Sequence, residues 1–276
     1  MPGPVAGSKG MVVGAPTLEG KRILVVGASS GIGRAFALRA IREGARVVVS
    51  ARRAGHLAEL ISEAGGGAAV TGDVRVPADC ERVAAEAAAT LGAVDLLLYT
   101  VGAAPLRRFA ETTAEDWRAV LETNLVGPHQ VIRATLGSFA PGALVVVLSS
   151  EAVGRPYVGL GAYACSKAAL EESLRMWRVE RPELRVCCVT QGASIPTDFG
   201  SAFDLELLGE VMQEWARLGV AGGVMNTDDV VGVMATTFAA ALANPGVGLE
   251  HIVLRPPSAA TSPMEMSVDM AKEVYT

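Results

Sequence analysis

Short apolar segments alternate along the chain with longer amphipathic ones. The short segments are continuously apolar instead of alternating with polar residues, which is typical of strands covered on both faces of a sheet. Six of them are predicted strands: Arg22–Val26, Arg46–Val49, Val94–Leu98, Leu144–Leu148, Leu184–Val189 and Ile252–Leu254. The segment Ala68–Thr71 fits a further short strand.

Helix-length segments separate these strands: Ile32–Glu43, His56–Ala64, Ala78–Leu91, Ala114–Phe139, Ala162–Val179 and Asp228–Ala243. This alternation predicts an α/β fold, a doubly wound parallel sheet flanked by helices, in a single domain over 18–257. The extra amphipathic stretch Phe199–Val220 is predicted to be a mobile lid, and one face of it could equally pack on the sheet. We expect 1–17 and 258–276 to be poorly ordered tails.

Composition and charge narrow the class of function. With 276 residues, half of them apolar, the chain can build one large α/β core. Its formal charge of −5 argues against a nucleic-acid partner, because no basic field is available to displace counterions from phosphate. No apolar run reaches the length of a membrane span, and the N-terminal segment lacks the apolar core of a signal peptide. We therefore expect a cytoplasmic protein without a membrane partner.

The cysteines show no metal-ligand spacing and the histidines are scattered; these residues are Cys80, Cys165, Cys187 and Cys188, and His56, His129 and His251. Cys187 and Cys188 lie in an apolar run, where buried thiols are the ordinary interpretation. Because no metal-ligand spacing is present, the sequence predicts neither a metal site nor disulfides.

A glycine-rich turn, Gly27–Gly33, follows the first predicted strand and opens a helix. Glycines permit a tight turn and close approach of the backbone to a pyrophosphate, and the helix N-terminus adds unpaired N–H groups. The strand-turn-helix context favours dinucleotide binding over a purely structural turn. The residues expected to contact the cofactor here are Gly27, Ser29, Ser30, Gly31, Ile32 and Gly33.

Tyr163 and Lys167 lie four residues apart on a predicted helix, so their side chains share one face. A phenol ordinarily has a pKa of about 10, and a neighbouring ammonium favours the phenolate. The pair therefore predicts acid/base chemistry. Ser150, thirteen residues before Tyr163, ends a predicted strand at the sheet edge where such folds bind ligands.

Taken together, these motifs resemble those of the short-chain dehydrogenase/reductase family. The resemblance covers about Gly20–Pro257 and rests on the glycine turn with Asp73, Val74, Asn124, Ser150, Tyr163 and Lys167. It implies a Rossmann-type fold and an oxidoreductase that transfers hydride between a nicotinamide cofactor and a ketone or secondary alcohol.

The resemblance also implies a role for each residue. Tyr163 is expected to be the general acid in carbonyl reduction and the base in the reverse direction, and Ser150 to hydrogen-bond the substrate oxygen. Lys167 is expected to lower the pKa of Tyr163 and to hold the nicotinamide ribose. Asn124 would help to organise a water-linked proton path behind Lys167, the alternative being a buried, satisfied amide. Further cofactor contacts are expected from Asp73 and Val74 at the adenine, Gly102 and Thr197.

The end of the second strand bears on the choice of cofactor. Ala51 falls where NAD-type members of the family carry aspartate, and Arg52 and Arg53 follow directly. Because a guanidinium suits phosphate geometry, these arginines predict NADP(H), with NAD(H) as the less favoured cofactor. The alternative is a solvated pair of loop arginines.

The chain departs from the family pattern at several positions. Tyr99–Gly102 replaces Asn-Asn-Ala-Gly after the fourth strand, with a phenol where an asparagine would brace the sheet. Gln191-Gly192 stands in the usual Pro-Gly place. Glu151 could face substrate or solvent, and Cys165 could be a packing residue or a reactive thiol. These positions leave the substrate open, although the apolar lid suggests an apolar ketone.

Three functions compete for this sequence. An NADP(H)-dependent carbonyl reductase or alcohol dehydrogenase is favoured by the intact catalytic set. The altered segments instead suggest an enzyme with the same fold that performs non-redox chemistry, such as an epimerase, cyclase or dehydratase. A cofactor-sensing binding protein is the third, disfavoured because a sensor needs no Tyr-Lys pair. By resemblance, helices Ala114–Phe139 and Ala162–Val179 would pair chains into a homodimer or homotetramer.

Overall fold

The computed structural model describes residues 16–220 and 222–257. Seven strands form a parallel sheet in the order β3-β2-β1-β4-β5-β6-β9, and a separate pair, β7-β8, lies outside it. The strands are β1 Arg22–Val26, β2 Arg46–Ala51, β3 Ala68–Thr71, β4 Val94–Tyr99, β5 Phe139–Ser150, β6 Arg185–Gln191, β7 Ser194–Ile195, β8 Met225–Asn226 and β9 His251–Leu254. Apart from residues 16 and 17, the predicted tails lie outside the described residues.

Helices cover both faces of the sheet, which confirms the predicted α/β class. They are α1 Gly31–Arg42, α2 Ala54–Ala64, α3 Pro77–Leu91, α4 Ala114–Leu121, α5 Gly127–Thr135, α6 Gly161–Glu180, α7 Leu205–Arg217 and α8 Thr227–Ala243. Alternate residues of β1 explain its continuous apolarity: Ile23 and Val25 pack in the cluster under α1, α2 and α8. Leu24 and Val26 pack in the opposite cluster under α3, α5 and α6.

The strand order reverses at β1, whose neighbours are β2 on one side and β4 on the other. In open α/β sheets the crossover helices diverge at such a point and leave a crevice at the carboxyl ends of the strands. The topology therefore places the glycine turn after β1 and the segment after β4 on either side of one crevice.

The prediction of one continuous helix over Ala114–Phe139 is wrong. A π-helical turn, Glu122–Val126, interrupts it between α4 and α5, and Phe139 already begins β5. Pro128 provides the physical reason, because it has no N–H to donate to the carbonyl of Asn124 four residues earlier. The Gly127 N–H bonds instead to the Glu122 carbonyl, five residues back.

Tyr99 takes over the brace that the missing asparagine would supply. Its ring is fully buried, and its hydroxyl donates to the Thr123 carbonyl at 2.9 Å. The phenol fits because Gly127 has no Cβ, which would lie only 2.7 Å from the Tyr99 hydroxyl. The neighbouring Thr100 hydroxyl lies 3.1 Å from both the Val26 and Gly27 carbonyl oxygens and so ties β4 to the glycine turn.

The segment predicted to be a lid contains α7. Its N-cap is Asp204, whose side chain accepts from the Leu207 N–H at 2.9 Å. Its apolar face packs against loops at the carboxyl end of the sheet in a cluster comprising Leu106, Ala152, Leu160, Tyr163, Phe203, Leu208, Val211 and Trp215. Arg108 holds the outer face through Glu210 at 3.0 Å and Glu214 at 2.6 Å. The segment therefore covers the site and does not pack on the sheet itself; its predicted mobility remains a prediction.

Candidate active site

A cleft of about 890 Å³ opens at the carboxyl ends of the central strands. All predicted cofactor residues line it: Gly27, Ser29, Ser30, Gly31, Ile32, Gly33, Arg52, Arg53, Asp73, Val74, Gly102, Tyr163, Lys167 and Thr197. Ser150 lines it as well. Asn124 does not, because its side chain is fully buried behind the cleft wall. Tertiary structure thus brings together residues spread over most of the chain.

The turn after β1 requires glycine at two positions. At Gly27, where φ is +101°, a Cβ would overlap the Thr100 hydroxyl and lie 2.9 Å from the Val101 nitrogen. At Gly33 a Cβ would overlap the Gly27 carbonyl. The N-cap of α1, Ser30, makes no side-chain cap hydrogen bond, and the first turn carries no acidic residue. The helix N-terminus can therefore hold an anion in the cleft.

Arg53 and Arg52 differ in their surroundings at the end of β2. The Arg53 guanidinium donates to the Ser29 hydroxyl at 2.8 Å and the Ser30 hydroxyl at 3.0 Å. It also forms an ion pair with Asp198 at 2.7 Å. Burial is the largest single influence and raises the pKa of Asp198, but hydrogen bonds from Arg53 and Ser30, together with nearby positive charge, outweigh it and the pKa is lowered. Asp198, which sequence reasoning missed, thus links the residue before the lid segment to the end of β2. Arg52, by contrast, lies exposed on the cleft wall.

Asp73 lines the cleft, as predicted for a cofactor contact, and its carboxylate is paired with an arginine. Arg75, also missed from sequence, donates to both Asp73 oxygens at 2.6–3.2 Å. This hydrogen bonding is the main reason that the pKa of Asp73 is lowered. The Asp79 carboxylate accepts from the Asp73 N–H at 2.9 Å and fixes the turn after β3. Val74 beside it is buried against α5 through Val131.

Ser150 and Tyr163 line the same cleft, and the interaction with the Ser150 side chain acts to lower the pKa of Tyr163. The Tyr163 ring is buried, and it packs edge-on against Phe199 with 5.1 Å between the ring centroids. Burial raises the pKa of Tyr163 to about 12, and the hydrogen bond with Ser150 acts in the opposite direction. The phenol therefore keeps its proton at neutral pH.

The ammonium of Lys167 is directed at the backbone and not at the phenol. Its Nζ donates to the Leu148 carbonyl at 2.8 Å and lies 5.9 Å from the centroid of the Tyr163 ring. Burial lowers the pKa of Lys167 to about 8. Loss of hydration therefore dominates at both groups in this arrangement, and the lowering of the Tyr163 pKa by Lys167 together with an oxidised nicotinamide stays a prediction.

Asn124 lies in the π-helical turn, where its amide is fully engaged. Its Oδ1 accepts from the Ala103 N–H at 2.8 Å, and its Nδ2 donates to the Ala103 carbonyl at 2.8 Å and the Ser166 hydroxyl at 2.9 Å. A Cβ on Gly102 would lie 3.8 Å from the Lys167 Nζ and 3.9 Å from the Asn124 Oδ1. The side chain therefore holds the segment after β4 beside Lys167, as the alternative of a satisfied amide implied.

Glu151 lines the cleft next to Ser150 and is 7% exposed, which places it on the cleft side and not in solvent. One of its oxygens accepts from the Ala193 N–H at 3.3 Å, and the other lies 3.7 Å from both Arg155 and Arg255. The Oε1 of nearby Gln191 is buried without a hydrogen-bond partner among the described residues. These two side chains give the cleft a polar end.

Cys165 is exposed on α6 and does not belong to the residues that line the cleft. Its packing interpretation is therefore wrong. The alternation of faces on a helix explains this result, because Cys165 lies two positions after the buried Tyr163 and two before the buried Lys167.

Comparison with known proteins decides the family. The family model for short chain dehydrogenases matches residues 21–204, which include the glycine turn, Ser150, Tyr163 and Lys167. The chain belongs to the short-chain dehydrogenase/reductase family. It is accordingly an oxidoreductase of a family that uses nicotinamide cofactors on small-molecule substrates.

Relatives and solved structures agree with this membership. The chain is 32% identical over 211 residues to the short-chain dehydrogenase/reductase FrzI of Cladobotryum sp., covering 72% of this chain and 80% of that protein. It is 32% identical over 189 residues to a glucose 1-dehydrogenase of Gluconobacter oxydans, covering 64% and 70%. An alcohol dehydrogenase of Thermococcus sibiricus, complexed with 5-hydroxy-NADP, superposes with a TM-score of 0.73 at 25% identity, covering 89% and 99%.

Within residues 16–220 and 222–257, no helix combines the length and the apolarity needed to cross a membrane.

Proposed function

We propose that this oxidoreductase uses NADP(H) to reduce a ketone, or to oxidise the corresponding secondary alcohol, with Tyr163 as the general acid/base. The observation that carries the proposal is that Ser150, Tyr163 and Lys167 line the same cleft as the glycine turn. A cofactor held by that turn and a substrate beside Tyr163 would share this cleft.

The residues present fit a dinucleotide. The glycine turn and the uncapped start of α1 would hold the pyrophosphate, and Asp73, Val74 and Thr197 line the adjoining walls. Arg52 and Arg53 would hold a 2′-phosphate. When bound, the cofactor supplies or takes up the hydride. The Thermococcus sibiricus alcohol dehydrogenase complexed with 5-hydroxy-NADP supports the assignment of an NADP-type cofactor.

Ser150 and Tyr163 would have different roles at the substrate oxygen. The Ser150 hydroxyl would hydrogen-bond this oxygen and stabilise the negative charge that develops on it, and the Tyr163 hydroxyl would deliver the proton. Because burial raises the pKa of Tyr163 to about 12, the phenol holds its proton at neutral pH, which suits the direction of carbonyl reduction. Lys167 would then return a proton to Tyr163. The backbone carbonyl of Asn124 would hold a water in the proton path behind Lys167, because Pro128 cannot give this carbonyl its α-helical donor.

The walls beyond Tyr163 suggest the substrate. They are mainly apolar, formed by Leu160, Phe199, Phe203, Leu208, Met212 and Trp215. The polar end contains Glu151 and Gln191. We infer an apolar ketone whose body lies against the α7 segment, where the apolar side chains exclude water from the reacting atoms.

A panel of apolar ketones, assayed by NADPH absorbance, tests this proposal. We expect substrate-dependent oxidation of NADPH in a ratio of one to one with alcohol product, at higher kcat/KM for apolar than for polar ketones. Product formed without net change in NADPH would instead favour a non-redox epimerase, cyclase or dehydratase. This second candidate is favoured by the buried Gln191 Oε1 in the cleft wall, which has no hydrogen-bond partner within the described part of the chain.

Substitution of Arg52 tests the choice of cofactor. Because a hydrogen bond to a charged group contributes about 1.5–3 kcal/mol, Arg52→Ala should weaken NADPH binding by about 10–150-fold. NADH binding should hardly change, since it has no 2′-phosphate. Arg53→Ala should weaken both cofactors, because Arg53 also holds Ser29 and Ser30 of the glycine turn. Titration by fluorescence measures both constants; equal losses for NADPH and NADH in Arg52→Ala would contradict the assignment.

The proposal includes a cytoplasmic homodimer or homotetramer. Exposed apolar side chains on the helices expected to pair support the oligomer: Val126 is 42%, Met176 47% and Val179 72% exposed. Pairing of α4, α5 and α6 with a second copy would remove this apolar surface from water.

A further inference from the structure

Three side chains with metal-ligand chemistry converge outside the cleft. Glu171 lies on α6, Cys188 on β6 and His251 on β9. One ligand atom from each, a carboxylate oxygen, a thiol sulfur and a ring nitrogen, lies within 4.8 Å of the other two. The pairing of Cys188 with His251 across β6 and β9 sets two of them side by side. Because these residues lie far apart in the sequence, spacing along the chain gave no indication of this cluster.

Neighbouring hydroxyls orient two of these groups. The Ser149 hydroxyl donates to the Glu171 Oε1 at 2.6 Å, and the Thr190 Oγ1 lies 2.7 Å from the His251 Nε2. Such outer contacts are the ones that fix ligand orientation in protein metal sites. Cys188 is buried, whereas His251 is exposed at the edge strand, so a cation has a path in from solvent.

We propose that Glu171, Cys188 and His251 bind a divalent cation of the zinc type. Carboxylate, thiolate and imidazole are all zinc ligands, and a mixed set with sulfur disfavours magnesium and calcium. Tetrahedral zinc at its usual bond lengths needs ligand atoms roughly 3.3–3.8 Å apart. The three ligand atoms lie within 4.8 Å of one another, so small side-chain rotations bring them to these distances.

Charge balance supports the same occupant. As the metal–sulfur bond forms, the Cys188 proton leaves to solvent, and thiolate with carboxylate then neutralises the two positive charges. Three protein ligands leave the fourth position for water. The site is separate from the coenzyme cleft, whose lining includes none of the three residues. The proposal therefore does not rest on the proposed reaction.

Cobalt(II) provides a direct optical test on the full, untagged chain after treatment with a chelator. We expect one equivalent of Co²⁺ per chain to bind, with a thiolate-to-cobalt charge-transfer band in the near ultraviolet and visible bands of a tetrahedral centre. Zinc should displace cobalt and abolish these bands. Zinc at about 100 times its Kd should also raise Tm by roughly 5 °C or more.

Adjacent cysteines provide the matched control. Cys188→Ser should lose the charge-transfer band, whereas Cys187→Ser should retain it, because Cys187 packs in the cluster on the opposite face of the sheet. The exposed Cys165 gives a second control, Cys165→Ser, which should also retain the band. Absence of the band in the unsubstituted chain, or its survival in Cys188→Ser, would overturn the proposal.

Histidine variants decide the case if Cys188→Ser fails to fold. His251→Gln changes an exposed edge position and should weaken cobalt binding at least about tenfold. His129→Gln, at a ring that packs on Trp177 and outside the cluster, should leave binding unchanged. Equal affinities for His251→Gln and the unsubstituted chain would exclude His251 as a ligand and overturn the site as proposed.

Discussion

Tyr163→Phe should lower kcat by about 10²–10⁴-fold while leaving NADPH binding nearly unchanged. The substitution removes the hydroxyl to which we assign proton transfer to the substrate oxygen, and it keeps the ring that packs on Phe199 with 5.1 Å between the ring centroids. Steady-state kinetics with a reducible ketone and fluorescence titration with NADPH measure the two quantities separately.

Tyr99→Phe is the matched control for this substitution. It also removes a buried hydroxyl, one that donates to the Thr123 carbonyl at 2.9 Å and takes no part in the cleft. We expect it to lower the free energy of unfolding by about 1–3 kcal/mol, since an acceptor loses its partner, and to leave kcat per folded molecule close to that of the unsubstituted enzyme. Near-normal turnover in Tyr163→Phe would remove Tyr163 from its assigned role.

Ser150→Ala should lower kcat by about 10²–10³-fold, the usual effect of deleting one hydrogen-bond donor to a developing oxyanion. Its neighbour Ser149 makes the comparison strict, since it has the same side chain one position earlier on β5. The Ser149 hydroxyl donates to the Glu171 Oε1 at 2.6 Å, and Glu171 does not line the cleft. Ser149→Ala should therefore retain most of the turnover.

The ratio of kcat values for the two serine variants tests the register of β5. Because successive side chains of a strand point to opposite faces, a single residue separates a hydroxyl in the cleft from one beneath it. Comparable losses in the two variants would contradict the assignment of Ser150, whereas a large loss in Ser149→Ala alone would transfer the role to Ser149.

Local spacing explains why much of the candidate site could be predicted. Tyr163 and Lys167 share a helix face because i and i+4 positions always do, and the glycine turn is recognisable because its strand-turn-helix context is contiguous. Most strand and helix ends were also within two residues of the prediction. The prediction of one long helix after β4 was wrong because hydrophobic periodicity identifies apolar faces and takes no account of the backbone hydrogen bond that Pro128 cannot donate.

Contacts between distant segments were not predictable in the same way. Asp198 pairs with Arg53 across 145 positions of sequence, and nothing near either residue indicates the pairing. The pKa of Tyr163 was expected to be lowered by Lys167, but burial by the folded chain raises it. Both results depend on which distant residues the fold packs together and on how much water this packing excludes, and neither can be read from neighbouring positions in the sequence.

The sequence by itself determined the α/β class, the glycine turn, the family resemblance and the order Ser150, Tyr163, Lys167, because each depends on period, propensity or spacing over a few residues. Tertiary structure alone decided that the Ser149 hydroxyl donates to Glu171, and that Tyr99 and Gly127 replace the missing brace. It also decided that Glu171, Cys188 and His251 meet. Such encounters depend on strand order and helix packing, and these place residues together irrespective of their separation along the chain.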